Sequence, residues 1–370
     1  MGVPAFNQCL SPPVVKMIKI ILTPTRQSGD DNKERDENGF FEHIDKNSTF
    51  ALCFDKLMKK IALYTLFLLT ALPLFAQITN KYEQKLYRGK QQEILSHIAD
   101  DMAKGRATGT IGKQAIEQYI VRRFQEYGLK PFNWHYIQSS RCNDSLIARN
   151  VVGVIPATVP TDKYVIVGAH YDHIGEINGN IYNGADDNAS GVTALINLAE
   201  MFSEMKKDGK GPGKNIVFVA FDGKEFNMCG SEHLVKNLPF PARNITCMVN
   251  LDMIGTDLEP VGFRRDYLIV LGEERLDAKY RGILSYLSRR KNYEMDLDLT
   301  FYGSKDFTKI FYRMSDQYSF AKAGIPALLF TSGIHQHTYK PSDNPSIINY
   351  DLLKKRTLLI FNFLFRVCEY

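Results

Sequence analysis

Histidines and carboxylates gather at five places in this 370-residue chain, most of them directly after a strand-like run of apolar residues. Tyr164–Gly168 leads into Ala169-His170-Tyr171-Asp172-His173, and Asn183-Gly184-Ala185-Asp186-Asp187-Asn188-Ala189-Ser190-Gly191 leads into a helical stretch. Asn215–Phe221 ends in Asp222-Gly223-Lys224-Glu225, and Ile245–Leu251 ends in Asp252-Met253-Ile254-Gly255. A fifth cluster, His335-Gln336-His337-Thr338-Tyr339, follows Ala327–Thr331. Taken singly, each is explained by a loop carboxylate or a hydrogen-bonded histidine. Taken together, they offer imidazole nitrogen and carboxylate oxygen, which are ligands for zinc.

Such groups meet only if the chain between them brings strand ends to one place. Apolar residues at helical spacing predict helices over 91–102 (Ile94, Ile98, Met102) and 113–128 (Ile116, Ile120, Phe124), the second stopped by Gly128. Further helices are expected over 190–205, 231–236, 276–291 and 350–367, the first of them capped by Ser190 or a neighbour. Short β-branched runs predict strands over 150–155, 163–168, 215–221, 245–251, 267–271 and 327–331. Apolar strands alternating with helices indicate an α/β fold: a single three-layer domain with a mostly parallel central sheet flanked by helices. In such sheets ligands bind beyond the carboxyl ends of the strands, where four of the five clusters fall. No internal repeat or interdomain linker is evident, and Gly209–Gly213 reads as a loop.

Composition sets the outer bounds. The chain is 44% hydrophobic and 24% charged, the balance of a globular protein. Lys+Arg 46 against Asp+Glu 41 gives a net charge of +5 without a basic stripe, so no nucleic-acid partner is expected. From Met58 the chain reads Met-Lys-Lys, an apolar run from Ile61 to Phe75, and then Ala76-Gln77. A basic start, a short apolar core and a small residue form the pattern of a secretory signal over 58–76. A membrane anchor or a buried helix is the alternative, but the run is shorter than the roughly 20 residues of a bilayer span. Residues 1–57 then form an extension without core periodicity, and translation starts at either Met1 or Met58. The working domain is 77–370, periplasmic or secreted, with no stable membrane span after signal removal. It keeps Cys142, Cys229, Cys247 and Cys368 with no Cys-x-x-Cys pair, which argues against a cysteine zinc site. Export permits disulfides, and the sequence leaves the pairing of these four open.

Gly168-Ala169-His170-Tyr171-Asp172-His173 and Gly184-Ala185-Asp186-Asp187-Asn188-Ala189-Ser190-Gly191 resemble the co-catalytic zinc aminopeptidases, a family that shares its fold with glutamate carboxypeptidase-like enzymes and glutaminyl cyclases. The resemblance runs roughly from Lys163 to Leu353, and Arg106–Leu129 is similar to the family's opening helix. It implies one or two zinc ions and a peptide or protein N-terminus as substrate. It further implies His170 and Asp252 on one ion, Asp187 as a bridge, and Glu225 with a late histidine on the second. Asp172 would orient the His170 ring through its other nitrogen.

Three positions depart from the family pattern. Where the family has a Glu-Glu pair, the first being the general base, this chain has Lys224-Glu225. A protonated lysine has no lone pair with which to accept a proton, so either nearby cations render it neutral or Asp222 reaches in. The late histidine position holds Tyr339; His337 is the favoured replacement ligand, with Tyr339 and His335 as alternatives. Ser315-Asp316-Gln317 stands where relatives often have Ser-Asp-His, which puts Gln317 in the substrate region. The short interval between Asp252 and His337 argues against an inserted lid domain. The expectation is a secreted zinc peptidase of aminopeptidase type. A catalytically impaired peptide-binding protein and a single-zinc glutaminyl cyclase-like acyl transferase are the alternatives, and a cationic Lys224 could replace part of the second metal's charge.

Overall fold

The computed structural model describes residues 81–258, 266–290 and 293–369, all within the compact unit Leu72–Tyr370. The extension 1–57 and the signal-like segment 58–76 lie outside the described residues. In chain order the strands are β1 (Lys130–Pro131), β2 (Ile137–Arg141), β3 (Ile147–Ile155), β4 (Tyr164–His170), β5 (Gly175–Ile177), β6 (Asn180–Tyr182), β7 (Asn215–Phe221), β8 (Ile245–Leu251), β9 (Tyr267–Leu271), β10 (Asp296–Asp298) and β11 (Ala327–Thr331). The helices are α1 (Arg88–Ile98), α2 (Ile111–Glu126), α3 (Gly191–Lys207), α4 (Cys229–Lys236), α5 (Ala278–Leu287), α6 (Lys305–Phe311), α7 (Gln317–Lys322) and α8 (Tyr350–Glu369).

Strand side chains alternate faces, and here both faces are apolar. Val165, Val167 and Ala169 of β4 join one core with Ile120, Phe124, Leu195, Phe202 and Leu364 from α2, α3 and α8. Ile166, between them, joins the other with Val217, Met248, Leu234 and Phe320, the last two from α4 and α7. Helices therefore cover both faces, and the expected three-layer α/β architecture is observed. Among the described residues the main sheet runs β1-β3-β7-β4-β8-β11-β9-β10, with β2 paired to β3. Strands β7, β4, β8 and β11 are mutually parallel, whereas β3 and β9 run antiparallel to this central block. The sheet is mixed, with its parallel run at the centre. Because those four strands point the same way, His170, Phe221, Leu251 and Thr331 end on one edge, and the loops after them share one rim.

Predicted strands at 215–221, 245–251, 267–271 and 327–331 match β7, β8, β9 and β11 at both ends. Strand β2, the β5-β6 hairpin, β10, α6 and α7 are not predicted, being too short or too polar to carry a period. Ser190 does not cap α3; its hydroxyl donates to the carbonyl of Asp186, and the Asn188 side chain accepts from Gly191 N–H at 3.1 Å instead.

Cys142 and Cys229 form a disulfide with Cα atoms 5.5 Å apart, while Cys247 and Cys368 are free and buried. The bridge ties the end of β2 to the start of α4, so it anchors the loop carrying Lys224 and Glu225. Gly223 in that loop has φ +75°, and a Cβ there would come within 2.7 Å of Cys229 Sγ. With its cysteines 87 positions apart in sequence, the cross-link restricts the unfolded chain strongly. The double variant Cys142→Ser/Cys229→Ser should lose about 2–5 kcal/mol of stability. Chemical denaturation with and without reductant measures it: reductant should lower the wild-type midpoint and leave the variant's unchanged.

Candidate metal centre

Two loops are locked together before any chemistry is considered. The Asn188 carboxamide donates to Leu251 carbonyl at 2.8 Å and accepts from Met253 N–H at 3.0 Å, clamping the end of β8 against the turn that carries Asp187. Asp343 accepts from the backbone N–H of Asp186 at 2.8 Å and of Asp187 at 3.1 Å. Asp186 itself accepts from Gly255 N–H at 2.7 Å and from Thr256 at 3.0 Å. The fully buried Arg106 donates to the carbonyls of Tyr171 and Gly184, each at 3.0 Å, and to that of Asn183. Gly184 has φ +54°, and a Cβ would lie 2.7 Å from the His173 ring, so only glycine lets that ring approach.

These supports bring together two groups of potential metal ligands that share Asp187: His170, Asp187 and Asp252, and His173, Asp187 and Glu225. In the first, His170 Nε2 is 3.3 Å from Asp187 Oδ1 and 3.4 Å from Asp252 Oδ1. Donors about 2.0–2.1 Å from a tetrahedral zinc stand about 3.3–3.4 Å apart, so this spacing suits the ion. In the second, His173 Nδ1 is 3.9 Å from Asp187 Oδ2, a wider fit. Both ring nitrogens of His173 and both carboxylate oxygens of Asp187 are buried without a hydrogen-bond partner. Native proteins seldom leave buried polar atoms unpartnered, and a cation would satisfy these. The residues therefore fit a metal ion.

Electrostatics agree. Burial pushes the His173 pKa down to about 3, leaving a neutral imidazole with a free lone pair. Burial and Lys224 oppose an imidazolium at His170, but Asp252 and Asp187 outweigh them and raise its pKa well above the ordinary value. Burial opposes ionisation of Asp187, yet Lys224 and His170 hold its pKa well below the usual range. Lys224 is also buried; Asp187, Asp252 and Glu225 overcome that cost and hold its pKa well above the ordinary lysine value. Its Nζ lies 3.0 Å from Glu225 and 3.6 Å from Asp187, the ion-pair partners of an ammonium.

Several expected residues fall elsewhere. His337 belongs to neither ligand group: its Nδ1 pairs with the Ser342 hydroxyl at 2.9 Å. His335 pairs with Asp186 at 3.1 Å and steadies the turn from outside. Tyr339 lies beside the site, its ring parallel to that of His173 at 6.2 Å and its hydroxyl 3.4 Å from Lys224 Nζ. Gln317 is fully buried, donating to Tyr312 carbonyl at 2.7 Å and accepting from Asn250 at 3.0 Å, so it cannot touch a substrate. Asp172 orients His170 through its main chain: His170 Nδ1 donates to Asp172 carbonyl at 3.0 Å. The Asp172 carboxylate is 3.8 Å from that ring and accepts from the N–H groups of Lys224 and Glu225 at 3.3 and 3.2 Å. Asp222 does not reach in; Lys113 and Thr108 hold it, each at 2.7 Å.

His173, absent from the expected ligand set, is a candidate ligand in the second group. It stands three residues after His170, within the quoted motif, and lies next to the tyrosine that occupies the late-histidine position. Asn188, Asp343 and Arg106 were also missed, because their role is to fix backbone and nothing in their spacing announces it. Ser315 donates to Asp252, and Asn250 donates to Ser315 at 2.8 Å, completing the support of the first group.

Residues 150–364 match the family model described as peptidase family M28. A "probable zinc metalloprotease" of Pyrenophora teres f. teres is 29% identical over 196 residues, covering 44% of this chain and 40% of that protein. Aminopeptidase YwaD of Bacillus subtilis is 31% identical over 114 residues, covering 30% of this chain and 23% of that protein. The matched segments thus span less than half of either relative. The Legionella pneumophila LapA aminopeptidase has the same fold, with a TM-score of 0.62 at 17% identity over 80% of this chain and 75% of that one.

Proposed function

Because the chain belongs to peptidase family M28, we propose that it is an exported zinc peptidase of aminopeptidase type, releasing the N-terminal residue of peptides, with turnover limited by Lys224. The observation that carries this reading is the sharing of buried Asp187 by two ligand groups on one rim of the sheet. His170, Asp187 and Asp252 would hold the ion. Bound zinc supplies a Lewis acid for the scissile carbonyl and lowers the pKa of a coordinated water. Ser315 fixes the carboxylate of Asp252, and Asp172 fixes the loop that presents Glu225.

Next to Asp187 and Asp252 is a cavity of about 70 Å³ lined by Met253, Phe301, Phe311, Met314, Leu329 and Ile334. These apolar walls favour an apolar side chain, while Lys224, Asp187 and Asp252, which line the same cavity, bring charge to its metal-facing side. Export is supported by the signal-like segment from Met58 and by the Cys142–Cys229 disulfide, a bond of oxidising compartments. Among the described residues no helix is long and apolar enough to cross a membrane.

Leucyl-arylamide and its N-acetylated form, offered to the zinc-loaded protein, test the reading. Slow hydrolysis of the free amine alone, abolished by chelator and regained with zinc, is expected. Peptide binding with no turnover of either would replace the hydrolase with a ligand-binding protein, the reading that Lys224 favours.

A further inference from the structure

Lys224 puts a fixed positive charge where the second ligand group would put a metal. Its Nζ lies 3.0 Å from Glu225 Oε1 and 3.6 Å from Asp187 Oδ1, and its side chain is only 9% exposed. Those carboxylates are two of the three residues of that group, and the remaining one, His173, has no hydrogen-bond partner on either ring nitrogen. The Tyr339 ring lies under the ammonium at 5.6 Å and its hydroxyl accepts at 3.4 Å, which further holds the cation in place.

Charge counting points the same way. Asp187, Glu225 and Asp252 bring three negative charges to the two groups. One divalent ion and one ammonium neutralise them; two divalent ions and the ammonium would leave an excess of positive charge in a buried site, where an unbalanced charge is costly. Replacing the lysine by a carboxylate would make four negative charges, which two divalent ions balance. The spacing also separates the positions, since the donors of the first group stand 3.3 and 3.4 Å apart and the His173–Asp187 pair 3.9 Å.

We propose that the Lys224 ammonium is a built-in substitute for one metal: the chain holds a single zinc on His170, Asp187 and Asp252, and a second position on His173, Asp187 and Glu225 opens only when the lysine is removed. This rests on the zinc peptidase reading but fails separately from it. The metal-free protein, Lys224→Gln and Lys224→Glu are equilibrated with zinc, dialysed, and analysed for zinc per chain by mass spectrometry, with cobalt absorption spectra as a second readout. Circular dichroism confirms that each variant is folded, and two replacements guard against one that fails. The wild type should retain one ion, Lys224→Glu two, and Lys224→Glu/His173→Ala one again, while Lys224→Glu/His337→Ala keeps two. Two tightly held ions in the wild type overturn the proposal, as does no gain in either folded lysine variant, and the peptidase reading would survive both. A wild type that takes up no zinc overturns the two together.

Discussion

Replacing Lys224 by glutamate should raise the rate of zinc-dependent peptide hydrolysis by about 10²–10⁴-fold, the usual contribution of a positioned general base. The reason is the lone pair. An ammonium offers three donors and no acceptor, so it cannot take the proton that water must lose when it attacks. The position itself is suitable, because the Lys224 side chain reaches Asp187 at 3.6 Å, and a glutamate, whose carboxylate oxygens lie one bond nearer the main chain than Nζ, would remain on the same rim. The cost falls on the metal-free state. There a fourth carboxylate joins Asp187, Glu225 and Asp252 without the ammonium that now pairs with them, and breaking buried ion pairs of this kind costs about 3–5 kcal/mol. The variant should therefore melt well below the wild type without zinc and recover most of the difference with it. Rates on leucyl-arylamide and melting curves with and without zinc provide both readings. A stable, zinc-loaded Lys224→Glu protein with no gain in rate would mean that position 224 does not limit the reaction.

How far this site could be read from sequence depends on which physical signal each part leaves. Strands β7, β8, β9 and β11 are largely apolar runs buried on both faces, and their limits were legible to the residue. His170, Glu225 and Asp252 follow parallel strands that end on one edge, but it was the resemblance of the motifs around His170 and Asp187 to the zinc aminopeptidases that implied the four as a set. The edge strand β2 (Ile-Gln-Ser-Ser-Arg) was not, since half-exposed polar residues give no alternation, and what defines it is pairing with β3. The place of His173 was illegible for a related reason. His337 is close to Tyr339 along the chain, whereas the imidazole whose ring lies parallel to that of Tyr339 is His173, from the loop after β4. Sequence distance is a poor guide to a site assembled from separate loops. Gln317 failed differently: its neighbours in sequence face the site, but α7 turns it toward Asn250 and the core.

Asp187→Asn carries the second large effect, and it discriminates more finely than the first. The substitution keeps the main chain, because Asp343 holds the turn through the backbone N–H groups of residues 186 and 187. What it removes is one charge with three dependants: His170 at 3.3 Å, Lys224 at 3.6 Å and His173 at 3.9 Å. Both ligand groups lose their shared member, so activity should fall by about 10³-fold or more, as happens when residues act as a unit. Zinc should also lose its stabilising effect. For the wild type, free zinc at 100 times its dissociation constant adds about 2.7 kcal/mol to stability, and a chain that no longer binds the ion gains nothing. Thermal melts over a zinc series measure this without reference to turnover. The pairing with Lys224→Glu is the sharper arm: the rate gained by that change should vanish in the double variant, because a base at position 224 has no activated water to serve once Asp187 is neutral. Rates that instead multiply, with the gain intact on the Asp187→Asn background, would show that the two residues act at separate sites, and the shared carboxylate would lose its place at the centre of the chemistry.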